Sequence, residues 1–295
     1  MAARIKKIGL GTVQWGLDYG LSNLEGKTSA AEVALILSTA REAGISVLDT
    51  AALYGDAECQ LGQQSLTGFR IVTKTPQFTT PTINTAAAIS LVETFKSSLQ
   101  QLNQASLYGL LVHDAGDLLA PGGERLIDAM LELQRSGLVS RIGVSVYESE
   151  QIKKLLERFT PDIIQLPLNV IDQRLIKDGS LARLQALGVE IHSRSALLQG
   201  LLLMPIETLP SYFRPWHRQL QAWHTAYKDQ HMTPLQAALG FVCDQAEVSC
   251  CLIGVQNQKQ LLECLSGLDA APGFNACELA CPDLNLVNPA KWSVA

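Results

Sequence analysis

Four side chains of this sequence carry acid–base chemistry and stand where short apolar runs give out: Asp49, Tyr54, Lys74 and His113. Asp49 follows the strand-length run Ile45–Leu48, and Tyr54 comes after a small-residue turn, beside Gly55. Phe69–Thr73 ends in Lys74, with Pro76 closing the segment, and Leu107–Val112 ends in His113. Singly, each has an ordinary explanation: a carboxylate that caps, a phenol that packs, a solvated amine, a hydrogen-bonded imidazole. Four such groups on three successive strand ends converge on one rim if the strands run parallel.

A phenol has a reference pKa of about 10, too high to be an ideal acid or base near neutrality. A neighbouring ammonium lowers that value and a carboxylate alone raises it. Asp49 and Lys74 therefore make sense as a pair, the carboxylate holding the amine charged so that it can act on Tyr54. His113 can donate to, or orient, a carbonyl oxygen. No Ser or Cys sits beside a His in a recognisable elbow, and no metal-ligand cluster is present. The set fits protonation of an oxygen while another agent attacks the carbon.

The elements that must position these groups are legible as a repeat. Ile8–Gly11 reads as a first strand, with Arg4–Lys7 as a lead-in covering a barrel floor. Ser29-Ala-Ala-Glu32 is a capping-box pattern opening a helix over Val33–Ala43, which Gly44 ends. Further strands are predicted at Arg141–Val146, Asp162–Leu166, Val189–Ser193 and Val248–Ile253. Helices are predicted from Asp56 to about Ser65 and over Asn84–Leu102, Glu124–Arg135, Ser149–Arg158, Ser180–Ala186, Pro234–Gln245 and Gln258–Leu268. Eight strand-then-helix units imply parallel pairing, and closure removes the sheet edges. The expected fold is a single (β/α)8 TIM barrel over residues 1–295, with a long loop after the seventh strand and a C-terminal tail over the barrel mouth. That loop, Gly200–His231, carries Tyr212, Phe213, Trp216 and Trp223; the tail, Ala270–Ala295, carries Pro272 and Trp292. Both could roof the site, or the aromatic loop could be a packed surface helix.

The sequence resembles the aldo-keto reductase superfamily. The resemblance rests on Gly9-Leu-Gly-Thr12, on Leu-Asp-Thr-Ala-x-x-Tyr-Gly from Leu48 to Gly55, on Glu-x-x-Leu-Gly from Glu58 to Gly62, and on Lys74 and His113 in order. It runs from about Ile8 to Leu265 and implies NADPH-dependent reduction of an aldehyde or ketone, with Tyr54 as proton donor and Asp49, Lys74 and His113 as its catalytic partners. It also implies cofactor contacts at Gly11, Thr12, Ser145, Gln165, Arg194, Ile253, Gly254, Gln256, Asn257 and Lys259. NADP(H) is the preferred cofactor on this reading and NAD(H) is possible. Trp15, Tyr19 and Trp216 are candidates for the substrate wall.

Several positions depart from the family pattern. Val146 stands where an Asn is usual, and Gln260 where many members place an Arg for the 2′-phosphate, leaving Lys259 as the nearby cation. Arg194 replaces an aromatic that commonly stacks on the nicotinamide, and Cys264 an Asn near the adenine. Gly9-Leu-Gly11 leads to Gln14, so the Rossmann glycine fingerprint is absent. Two other readings stay open: a Schiff-base aldolase using Lys74, and a cofactor-binding regulatory protein with little turnover.

Composition sets the remaining bounds. The 295 residues are 47% hydrophobic and 17% charged, enough for a large core. The net charge of −5 and the lack of a cationic run argue against nucleic acid; the resemblance implies a small carbonyl compound as the partner. An odd seven cysteines without a Cys-x-x-Cys pair point to reduced thiols. The start, Met1-Ala-Ala-Arg, lacks a signal-peptide apolar region, no run reaches membrane-span length, and a cytoplasmic location is expected.

Overall fold

A computed structural model describes residues 2–78, 80–270 and 273–293 of the chain. The eight strands are β1 (Ile8–Gly11), β2 (Val47–Asp49), β3 (Arg70–Lys74), β4 (Leu107–Val112), β5 (Val139–Ser145), β6 (Ile163–Pro167), β7 (Glu190–Arg194) and β8 (Val248–Gly254). Each pairs in parallel with the next, and β8 returns to β1, where Ile8 faces Cys251 and Gly11 faces Gly254. The helices on the outside are α1 (Ala30–Glu42), α2 (Ala57–Gly62), α3 (Thr85–Gln101), α4 (Glu124–Arg135), α5 (Ser149–Leu156), α6 (Ser180–Ala186), α7 (Pro234–Cys243) and α8 (Gln258–Ala270). One core lies between sheet and helices. A second, made by Val47, Val72, Leu111, Ile163, Cys250 and Leu252, fills the barrel, so the interior is packed and not a pore.

Some boundaries depart from the sequence pattern. A short helix, Ala2–Ile5, precedes β1, and Arg4 and Lys7 tie the lead-in to the residues before β8, at Asp244 and Gln245. Met1 lies outside the described residues. β5 begins at Val139, not Arg141, because its ladder with β4 already holds there. Ser29 caps α1 by accepting from the Glu32 N–H, but the Glu32 carboxylate does not return to complete a capping box. It accepts instead from the Gln258 N–H at the start of α8.

The aromatic loop after β7 forms 3-10 turns and a helix, His217–Asp229, whose Trp223 is fully buried, as is Phe213 ahead of it. Tyr212 and Trp216 bond the tail at Asn285 and Asp283. Loop and tail thus pack on each other, and the tail brings Pro289 and Ala290 to the barrel mouth. Of the tail residues, Pro272 and Ala295 lie outside the described residues. All seven cysteines are free, and among the described residues no helix is long and apolar enough to cross a membrane.

The barrel floor holds a polar network. Glu190 Oε1 lies 2.8 Å from His192 Nε2, Tyr108 donates to Glu190 Oε2 at 2.5 Å, and the Arg70 guanidinium sits 3.8 Å from the carboxylate. Burial is the largest single influence on Glu190 and would raise its pKa, but the bonds from His192 and Tyr108 outweigh it and hold the pKa at about 2. The folded carboxyl therefore stays ionised well below the ordinary value of 4.5 at which the unfolded one takes up its proton. Its contribution to stability is complete above that value and drains away as pH falls toward 2. We expect Glu190→Gln to lower the urea midpoint at pH 7, by about 1–3 kcal/mol of stability, and the gap from wild type to narrow steadily below pH 4.5. A gap independent of pH would show that the carboxylate charge contributes nothing.

Candidate active site

The strand ends deliver the four acid–base groups to one place. Asp49 and Lys74 are the last residues of β2 and β3, and both side chains are almost fully buried. Lys74 Nζ donates to Asp49 Oδ2 at 2.6 Å and to the Thr50 carbonyl at 2.9 Å. Gln165, inside the barrel on β6, donates to the other carboxylate oxygen, Oδ1, at 2.7 Å. Behind this pair, Glu58 accepts from the Thr73 hydroxyl at 2.6 Å, and burial raises the Glu58 pKa.

Tyr54 is fixed by backbone packing. The short helix Val13–Gly16 lies directly on its turn: a Cβ at Gly16 would stand 1.7 Å from the Tyr54 carbonyl oxygen, and one at Gly55 2.3 Å from the Gly16 oxygen. Gly55 also holds φ at +58°, so glycine is required at both faces of this contact. The phenol ring then lies 4.9 Å from Lys74 Nζ and 5.9 Å, edge to face, from His113.

Electrostatics assign the protons. For Lys74, burial is the largest single influence and favours the neutral amine, but attraction to the Asp49 carboxylate, with hydrogen bonding to Asp49 and Tyr54, outweighs it and the pKa rises. The residue is an ammonium. Burial also dominates at Tyr54 and raises the phenol pKa; Lys74 opposes the shift and Asp49 adds to it. The sequence argument that Lys74 leaves the phenol acidified is corrected here, because desolvation wins. Burial, and then Lys74, push His113 down to about 4, so its imidazole is neutral near pH 7. Its Nδ1 is buried without a partner.

These groups open on a cavity of about 670 Å³ that runs from Tyr54 and His113 to the turn between β8 and α8. Gly11, Ser145, Gln165, Arg194, Ile253, Gly254 and Gln256 line it, and so does Tyr19. Thr12 is buried beneath, its N–H bonded to the Asp49 carbonyl. Asn257 and Lys259 do not line it: Asn257 bonds Glu25 and Gln260, and Lys259 is 85% exposed beside Glu263. Two expected wall residues are also elsewhere. Trp15 is fully buried and donates to the Val255 carbonyl, and Trp216 is held by Asp283.

The sequence reading missed Tyr147 and Gln199. Tyr147 lines the cavity and carries the Arg194 guanidinium 4.0 Å above its ring, while Arg194 donates to the Val146 carbonyl. Its position two residues past Ser145, at a strand end, was the available signal. Gln199, in a loop where Ser195, Leu198 and Gln199 all take positive φ, donates to the Tyr19 hydroxyl at 2.9 Å. That bond straps the loops after β1 and β7 together across the mouth. No sequence pattern announces the left-handed backbone that allows it.

The ion pair yields a stability prediction. Lys74→Met leaves the Asp49 carboxylate buried without its counter-ion and is expected to cost about 3–5 kcal/mol in urea unfolding. Pairing it with Asp49→Leu is expected to restore most of that loss, since no buried charge then remains. A double variant no more stable than Lys74→Met would show that the pair is not coupled.

The sequence pattern of the Aldo/keto reductase family matches residues 7–271. No curated protein matches the chain. Among solved structures, an aldo-keto reductase from Bacillus halodurans in its holo form superposes with a TM-score of 0.74 at 20% identity, over 92% of this chain and 89% of that one. A protein of Pseudomonas aeruginosa described as an aldo-keto reductase gives 0.66 at 22% identity, over 90% of each chain. At such identities the structural likeness speaks to the fold alone.

Proposed function

The chain belongs to the aldo/keto reductase family, and we propose that it reduces an aldehyde or ketone to the alcohol, with a nicotinamide dinucleotide as hydride source and Tyr54 as proton donor. The observation that carries this reading is the convergence of a protonated phenol, a buried ammonium–carboxylate pair and a neutral imidazole on one cavity.

The cavity's polar groups fit such a cofactor. Gln14 Oε1 is buried without a partner, and Ser145 makes no side-chain hydrogen bond among the described residues. Gln165 spends its amide N–H on Asp49 and keeps its oxygen as an acceptor. Ser145 and Gln165 would hold the carboxamide, and Gly11 and Gly254 leave room along β1 and β8. When bound, the cofactor supplies hydride to the carbonyl carbon.

The chain's own residues do the rest. His113, neutral, donates one N–H to the carbonyl oxygen and orients it. The Tyr54 hydroxyl gives its proton to that oxygen as negative charge builds there, and the ammonium of Lys74 stabilises the phenolate left behind. Asp49 keeps Lys74 charged. The same arrangement weighs against a Schiff-base mechanism, because an amine held as a buried ammonium has no free lone pair for a carbonyl carbon.

We expect Tyr54→Phe to lose about 10²–10⁴-fold in carbonyl reduction with dinucleotide affinity nearly unchanged. Activity within a few-fold of wild type would reject Tyr54 as the acid. With His113 titrating at about 4 and burial raising the Tyr54 phenol above its ordinary range, the reduction rate should be flat through neutral pH. An inflection near 6.5 would mean that His113 titrates in the working range.

Arg194 yields a second binding prediction. Its charge reaches Tyr54 and His113, and among the described residues it has no carboxylate partner. A guanidinium here disfavours the cationic oxidised nicotinamide ring and leaves the neutral reduced ring untouched, by about 1 kcal/mol at partly exposed range. The ratio of dissociation constants, oxidised over reduced, should fall in Arg194→Gln. An unchanged ratio would place Arg194 among the substrate contacts.

A further inference from the structure

The far end of the cavity, at the β8–α8 turn, is built against a phosphate. Helix starts attract anions because their first N–H groups lack partners, and this one would be a natural seat for one. Here the chain fills part of it. The Gln258 N–H donates to the Glu32 carboxylate at 2.9 Å, the Gln256 N–H to Gln260 Oε1 at 2.9 Å, and the Gln260 N–H to Asn257 Oδ1 at 2.9 Å. The Gln256 side chain is turned into the first loop, on Asn23 and the Gly26 carbonyl, and the Asn257 amide bonds Glu25.

Charge points the same way. Glu263 lines this end, with Glu25 and Glu32 against the turn, whereas the one basic Arg or Lys side chain on the wall among the described residues is Arg194, at the catalytic end. Lys259 is turned out to solvent beside Glu263, and Lys27 is neutralised by Asp56 at 2.6 Å.

We propose that the site takes NAD(H) and discriminates against NADP(H), the Glu263 carboxylate on the cavity wall accepting from a free adenosine 2′-hydroxyl and, with the charges of Glu25 and Glu32 at the turn, repelling a 2′-phosphate. This rests on the reading that a nicotinamide dinucleotide fills the cavity. With the reacting ring beside Tyr54, the adenosine half would reach the end of the cavity at the β8–α8 turn. A ribose hydroxyl donates to a carboxylate, but a phosphate in the same place adds charge to charge and needs a cation that this turn does not supply. The sequence-based preference for NADP(H) depended on Lys259 and on the amides near Gln256 and Asn257; Lys259 points to solvent beside Glu263, and the Gln256 N–H is taken by Gln260.

Calorimetric titration of the whole protein with NADH, NADPH, AMP and adenosine 2′,5′-bisphosphate tests the proposal without turnover. NADH should bind at least about tenfold tighter than NADPH, and AMP tighter than the bisphosphate, with both ratios shrinking as salt is raised. Glu25→Gln/Glu32→Gln, which keeps the acceptor for the Gln258 N–H but removes two charges, should narrow the NADH-to-NADPH ratio several-fold. Equal or tighter NADPH binding in wild type, or a ratio unmoved in the variant, would overturn the preference while leaving the reductase reading intact. Failure of both dinucleotides to bind would overturn that reading too.

Discussion

Keeping the Lys74 ammonium charged out of water is the constraint on which the site depends. An isolated buried amine would shed its proton. Asp49 prevents this, and Asp49 in turn needs its second oxygen satisfied, which Gln165 does from the opposite side of the barrel. Three strands separated widely in sequence must hold register for one proton to stay in place. Since a buried pair is no cheap source of stability, its presence at the cavity floor is better explained by what it does to Tyr54 than by what it adds to the fold.

The first loop links that floor to the far turn. Its helix presses on Tyr54 through glycine backbones, its Trp15 grips the Val255 carbonyl, and its Asn23 and Gly26 hold Gln256. The α1 helix that follows contributes Glu32. One continuous segment therefore positions Tyr54 at one end of the cavity and sets the charge met at the other.

The barrel and its four acid–base groups were legible because both are written locally. A strand end is marked by where apolar residues stop, and parallel strands carry all their ends to one rim. What was not legible depends on where long side chains turn. Trp15 and Trp216 sit near the site in sequence, but each buries its ring and spends its indole N–H inside the fold. Lys259 and Asn257 lie at the turn between β8 and α8, yet neither lines the cavity: Asn257 bonds Glu25 and Gln260, and Lys259 is exposed beside Glu263. Ser29 and Glu32 have capping-box spacing, but the Glu32 carboxylate accepts instead from the neighbouring helix, and no local pattern reveals a donor 226 residues away. The Tyr54 pKa followed the same logic: sequence proximity named Lys74, while the depth of burial that outweighs it belongs to the finished fold.

The seam at which β8 meets β1 has a consequence for how the chain is made. Residues 8–11 find their last partner only at residues 251–254, so during synthesis the first strand waits with one edge bare until those residues have emerged. The growing sheet meanwhile presents a second bare edge at whichever strand came last. Open edges of apolar strands pair readily with other chains, and contacts of such long range form slowly because the loop must close first. Joining the two ends removes both liabilities in one step. Nascent and truncated chains of this protein are thus sticky in a way that the closed molecule is not, and holding those edges apart until release is the task its folding sets for the cell.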